Sequence, residues 1–188
     1  NRFNNRHLDV NEFDKIINYL KNNFKIVSLA EIFEMHRSKT KQNKRTVALT
    51  FDDGYINNFT QALPVLKKHN VPATFYLISK GLVDDSYYVW PDIIDLIQRE
   101  VKENLVLDAG TFKHPGFYCA ELKMSLIDFL KSCGSKREKY IQELSSKYPF
   151  YKDMAKKQPE LIELVRKNEF TKYANEPLIE YGSHTHTH

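Results

Sequence analysis

Cysteine and long apolar runs are both scarce in this 188-residue chain, and each shortage excludes something. Only Cys119 and Cys133 are present, spaced like neither a C-x-x-C redox pair nor a zinc ribbon. They exclude a disulfide framework, leave room for at most one bridge, and read most simply as two free thiols of a reducing compartment. No segment approaches the roughly 18 consecutive apolar residues of a membrane-spanning helix. Internal repeats and low-complexity tracts are missing too, which removes solenoids and linkers from consideration. Charge of one sign is not concentrated either: 28 Lys and Arg against 24 Asp and Glu leave a net +4, spread through segments such as 131–157. Without a zinc-finger or RNP-like pattern beside those lysines, nucleic acid ranks last among partners. What remains is 41% apolar and 28% charged, the make-up of an ordinary globular protein long enough for one domain with a real core.

The pattern along the chain alternates strand and helix. Asp9 stands three residues before Glu12 ahead of Phe13, Ile16, Ile17 and Leu20, which predicts a capped helix over 10–22. A short strand over 24–27 follows, and Ser28 with Glu31 repeats the capping pattern before a second helix that gives way to the basic stretch 35–44. The β-branched run Thr46-Val47-Ala48-Leu49-Thr50-Phe51 predicts one strand. Phe59, Ala62, Leu63, Val65 and Leu66 predict a helix over 56–70 that Pro64 can kink, and 73–78 reads as the next strand, which gives a β-α-β unit with parallel strands. From Trp90 the character changes. Pro91 opens a helical pattern, lysine-rich helical stretches follow with turn signals at Gly110, Gly134 and Pro149, and short extended pieces such as 105–107 interrupt them. The expectation is a mainly helical insertion over about 91–168, with a return to the sheet near 178–181.

Two segments carry chemistry. Thr50-Phe51-Asp52-Asp53-Gly54 places two carboxylates at a strand's C-terminal end, where α/β sheets keep their reactive groups. Gly182-Ser183-His184-Thr185-His186-Thr187-His188 supplies two histidines four residues apart, which face one ion if the backbone there turns helically. Carboxylate with imidazole suits zinc and similar first-row ions, and a site of three protein ligands leaves positions open for water and substrate. Alone, each segment has a plainer reading: Asp52 and Asp53 as caps of the next helix, the Thr/His alternation as a solvated strand end. Tyr55, Tyr87, Tyr88 and Trp90 read as packing before they read as a sugar platform. His7, His36, His69 and His114 belong to no motif.

Together, the two segments in this order, with Pro72-Ala73-Thr74-Phe75-Tyr76 between them, resemble the polysaccharide deacetylases, the NodB-homology or carbohydrate esterase family 4 group. The first motif is Thr50 to Gly54 and the second the H-[ST]-x-x-H pattern from His184 to His188; residues 8–32 are similar to the segment that precedes the first motif in bacterial members. The resemblance implies an α/β fold, a deformed (β/α) barrel, forming a single catalytic domain over 1–188 that carries the helical insertion. It implies metal ligation by Asp53, His184 and His188, with Asp52 as general base and a divalent ion, zinc first and cobalt, nickel or manganese as alternatives. His186, two residues from each matched ligand, is expected to face away from the ion, and no substrate-binding residue is assigned.

The implied reaction is hydrolysis of an N-acetyl group from an amino sugar of a bacterial surface polysaccharide or its precursor. A deformylase of the same fold acting on a lipid-linked amino sugar, or a carbohydrate-binding relic, are the alternatives. The expected partner is thus a carbohydrate, with no nucleic acid and no transmembrane segment, and the free thiols favour the cytoplasm over the periplasm or secretion. Further family motifs, an Arg-Pro segment orienting the base and a Leu-x-His carrying the general acid, follow the second motif. The chain therefore reads as the N-terminal part of a longer deacetylase.

Overall fold

The computed structural model describes residues 8–39 and 45–187. These divide into two compact units, one running to Tyr87 and resuming at Gln158, the other formed by Tyr88–Lys157.

The first unit begins with α1 (Val10–Asn23), whose N-terminus is closed by the Asp9 carboxylate accepting the amides of Asn11 at 2.8 Å and Glu12 at 3.4 Å. Strand β1 (Lys25–Ile26) follows, then α2 (Leu29–Arg37), with the capping box of Ser28 and Glu31 formed in both directions. The run expected as one strand over 46–51 is extended but divided into β2 (Thr46–Val47) and β3 (Thr50–Phe51). β2 pairs with β1, whereas β3 pairs with β4 (Ala73–Leu77), both in parallel. A twisted sheet offsets short neighbours, so each flank covers a different half of the central run.

The helix expected over 56–70 is also divided. Its first part, Asn58–Ala62, is π-helical, with the Leu63 amide reaching back five residues to Asn58 O; α3 (Leu63–His69) then carries Pro64 in its first turn. Proline has no amide to continue the α-helical ladder and crowds the carbonyl four residues back, and the wider turn ahead of it relieves that conflict. Asn70 closes α3 in the left-handed conformation at φ +52°. β4 leads directly into the single turn α4 (Ser79–Val83).

The second unit has its own core. α5 (Trp90–Glu100) precedes two antiparallel hairpins, β5 (Leu105–Leu107) with β6 (Gly110–Phe112) and β7 (Tyr118–Cys119) with β8 (Met124–Ser125). Helices α6 (Leu126–Ser132), α7 (Arg137–Lys147) and α8 (Tyr151–Lys157) complete it, and Phe129 lies between Phe112 and Tyr140 with centroids 5.3 and 5.0 Å away. Cys119 and Cys133 are both free thiols.

Along the stretch 91–168, expected as a mainly helical insertion, three features stand out. The described chain forms two units, the second unit ends at Lys157, and hairpins occupy the part between α5 and α6. Residues 158–168 return to the first unit because their backbone is needed there: after α9 (Pro159–Ile162), residues 163–165 run antiparallel to 54–56. α10 (Lys167–Phe170) then leads to β9 (Ile179–Ser183), which pairs in parallel with β4 along its whole length.

The first unit is thus α/β, with parallel order β3-β4-β9. Its core is aromatic: Phe75, wholly buried in the middle strand, meets Phe51 and Phe59 at centroid distances of 4.9 and 5.2 Å. Tyr181 joins this group, its hydroxyl donating to Tyr173 O at 2.8 Å, and burial pushes its phenol up to about 12. Among the described residues no helix is long and apolar enough to cross a membrane.

Candidate active site

Register determines what meets at the sheet's C-terminal edge. Phe51 lies opposite Phe75, and Leu77 lies opposite Ser183, so the residues leaving β3, β4 and β9 emerge at one level. From β3 come Asp52 and Asp53, and from β9 comes His184. The ladder continues past the strands, with the His184 amide donating to Leu77 O at 2.8 Å and the Ile78 amide to Asp53 O at 3.3 Å. This brings Asp53 Oδ1 and His184 Nε2 to 3.5 Å, with the carboxylate 15% and the imidazole 34% exposed.

Asp53 reaches that position through an unusual backbone. It has φ +68° and Gly54 φ +76°, and the Gly54 amide donates to Asp52 O at 2.8 Å, closing a three-residue γ-turn around Asp53. Such a turn breaks the strand alternation that would otherwise send Asp52 and Asp53 to opposite faces. Holding a non-glycine residue there costs on the order of 1–3 kcal/mol, which the surroundings must offset. Gly54 is required for closeness as well as conformation: a Cβ on it would stand 2.6 Å from Leu77 Cδ2. Asp52 itself is exposed.

The histidine segment is built differently from the expected helical turn. Residues 184–187 form no helix, and Thr185 is left-handed at φ +65° with its hydroxyl donating to Thr187 O at 2.6 Å. The segment is instead hung on α4, whose first amides would otherwise lack partners: the Ser79 amide donates to Thr185 O at 3.2 Å and the Lys80 amide to His186 O at 3.1 Å. The His186 ring takes a separate partner, its Nδ1 lying 2.9 Å from Ser79 Oγ. Of the three expected ligands, the structure brings Asp53 and His184 together, while His188 lies outside the described residues. Among the described residues no group of three or more His, Cys, Asp or Glu side chains is gathered.

Two supports of the site carry no sequence motif. Residues 163–165 flank the acidic turn on its far side, with the Val165 amide donating to Gly54 O and the Ile56 amide to Glu163 O, both at 2.8 Å. Arg166 then donates to three carbonyls, those of Gly81, Asp84 and Tyr87, at 3.0–3.1 Å. No local signal marks either, since both depend on pairing across roughly 80 to 110 residues. The aromatic residues considered as a sugar platform are engaged in packing: Lys80 lies over the Tyr87 ring at 5.2 Å, Tyr88 packs edge-on to Tyr151, and Trp90 is buried with Arg137 over its ring at 4.9 Å.

Comparison with known proteins identifies the family. The family described as polysaccharide deacetylase matches residues 39–167, which is more than half of the chain and includes the acidic turn. A bifunctional xylanase/deacetylase of Pseudobutyrivibrio xylanivorans is 36% identical over 73 residues, covering 39% of this chain and 11% of that protein. A peptidoglycan-N-acetylglucosamine deacetylase of Listeria monocytogenes is 36% identical over 78 residues, covering 41% of this chain and 15% of that one. The chain thus matches only a small part of the length of these curated relatives. Among solved structures, a de-N-acetylase of Aggregatibacter actinomycetemcomitans has a TM-score of 0.43 at 20% identity, covering 77% of this chain and 68% of the other.

Proposed function

The chain belongs to the polysaccharide deacetylase family, and from that premise we propose that it contributes to a metal-dependent hydrolase that removes an N-acetyl group from an amino sugar of a bacterial surface polysaccharide or its precursor. The fold class that goes with this membership is the α/β, deformed-barrel type, to which the parallel strands β3, β4 and β9 belong. The observation that carries the proposal is the approach of Asp53 Oδ1 to His184 Nε2 at 3.5 Å, at the C-terminal ends of those strands.

The donor set and its spacing suit a divalent ion. Two ligand atoms each about 2.1 Å from a four-coordinate ion stand about 3.4 Å apart, and one carboxylate oxygen with one imidazole nitrogen is a combination that zinc takes readily. Asp53 and His184 would hold it, with His188 as the third ligand; zinc is the first choice, and cobalt, nickel and manganese fit the same donors. When bound, the ion supplies Lewis-acid polarisation of the acyl carbonyl and lowers the pKa of water. Asp52, exposed beside Asp53, takes the proton from the attacking water as general base. The buried turn fixes Asp53 so that its carboxylate does not reorganise as charge develops.

The test uses the intact protein with Zn²⁺ or Co²⁺ and an N-acetylated oligosaccharide. Acetate release and stoichiometric metal are expected. Asp53→Ala loses activity by more than the roughly 10–100-fold that loss of a mere supporting partner costs. An Asp53→Ala, His184→Ala double variant that still retained one metal per chain would sink the ligand assignment. Release of formate in place of acetate would convert the proposal to a deformylase.

A further inference from the structure

We infer that residues 163–165, backed by Arg166, form a brace that holds Asp53 in its left-handed turn, and that Arg166 is a positioning residue for the site. The inference rests on the metal-binding reading of Asp53 and His184, and it adds a residue that no sequence motif marks.

The bonds that restrain the acidic turn are unequal. On the β4 side the contact is long, Ile78 amide to Asp53 O at 3.3 Å, whereas on the brace side two bonds of 2.8 Å run from Val165 to Gly54 O and from Ile56 to Glu163 O. Asp53 and Gly54 are consecutive left-handed residues, and a non-glycine residue keeps such a conformation only where neighbouring structure over-determines it. The brace supplies the shorter bonds, at Gly54 itself and just C-terminal to the pair at Ile56.

The brace is in turn seated on α4. Leu164, 1% exposed, packs so closely on Gly81 that a Cβ there would lie 2.6 Å from Leu164 Cδ1. Arg166, the next residue but one, locks the same seat from its other end: Nη1 donates to Gly81 O at 3.1 Å and Asp84 O at 3.0 Å, and Nη2 to Tyr87 O at 3.1 Å. Its own amide donates to Glu169 Oε2 at 3.3 Å. Three carbonyls converging on one side chain call for a planar, many-donor guanidinium, which a lysine ammonium on a flexible stem does not reproduce. The other end of α4 carries the carbonyls of Thr185 and His186 on its first amides. One helical turn thereby references both halves of the site, the acidic turn through the brace and His184 through its own segment.

The experiment is a Co²⁺ titration of the intact protein, read by affinity and by the visible absorption of the bound ion, beside thermal unfolding. Arg166→Ala is expected to weaken Co²⁺ about 10–100-fold and to alter the absorption bands, with Arg166→Lys recovering only part of the affinity. A folded Arg166→Ala protein with wild-type affinity and bands would overturn the inference, because a merely structural arginine would shift only the melting temperature. If Arg166→Ala does not fold, Gly81→Ala decides: its Cβ displaces Leu164, so weakened Co²⁺ binding supports the brace and unchanged binding overturns it. Failure of the wild-type protein to bind Co²⁺ is a separate result that overturns the metal reading and the inference with it.

Discussion

The two halves of the candidate site reach the same edge of the sheet by opposite means. The acidic half is a strained turn gripped on both sides, by β4 through Ile78 and by residues 163–165 through Val165 and Glu163. The histidine half is a segment without helix or strand beyond Ser183, hung on Leu77 O and the first two amides of α4. Exposure follows the same division, with the Asp53 side chain less than half as exposed as that of His184. Under the metal-binding proposal, a carboxylate in a fixed turn would provide a rigid reference for an ion, and the more exposed histidine would adjust to it. Preorganisation is therefore concentrated in the acidic half, and substitutions there should cost most.

Gly54→Ala should give the largest effect. The new Cβ must adopt φ +76° and meets Leu77 Cδ2 at 2.6 Å and Leu77 Cα at 3.4 Å, so both conformation and packing oppose it. A loss of about 2–4 kcal/mol in unfolding free energy is expected, read from urea denaturation, with Co²⁺ affinity lowered in whatever folded protein remains. A stable Gly54→Ala protein with intact metal affinity would show that the acidic turn is not the rigid half.

How much of this was legible depended on whether the signal was local. Asp9 and Ser28 act as caps as their spacing predicts, since a cap needs only residues two or three places away. The parallel strands β3 and β4 and the acidic residues at the edge were likewise readable from β-branched runs and the following Gly54. The divided strand over 46–51 was not, because partner choice on either side of Leu49 is a property of the sheet and leaves no mark on hydrophobicity. Nor was the positive φ of Asp53, which aspartate tolerates without advertising it. The pairing of residues 163–165 left no local mark for a related reason: residues 158–168 have a helical, charged pattern like the stretch before them, yet the extended stretch 163–165 is captured by a turn more than a hundred residues earlier. Spacing between His184 and His188 suggested a helical turn, and the carbonyls' capture by α4 prevents one over 184–187.

A smaller effect sharpens the histidine side of the comparison. His186→Ala removes a ring that contacts Ser79 Oγ but leaves the His186 carbonyl, which is the group that anchors the segment to Lys80. The exposed position predicts a stability change within about 0.5 kcal/mol and, correspondingly, Co²⁺ affinity within about threefold of wild type. A loss approaching that of His184→Ala would mean that the ring of His186, and not its backbone, positions the segment.

The smallest effect tests the brace through pH. The Glu163 carboxyl is half-buried, and desolvation raises its pKa above the ordinary value; Arg166 opposes the shift, while Glu169, Asp85 and Glu160 reinforce it. The folded state therefore holds this proton to a higher pH than the unfolded chain does. Between the two pKa values folded molecules bind more protons, so stability falls as pH rises, and the full penalty is present above the folded value. Glu163→Gln removes the charge without changing the backbone bond from Ile56 to Glu163 O. Thermal unfolding should show the variant equal to or slightly more stable than wild type at neutral pH, with the difference vanishing below about pH 4, where the carboxyl is protonated in both states. A variant less stable than wild type at neutral pH would instead make the ionised carboxylate, through its attraction to Arg166, a favourable part of the brace.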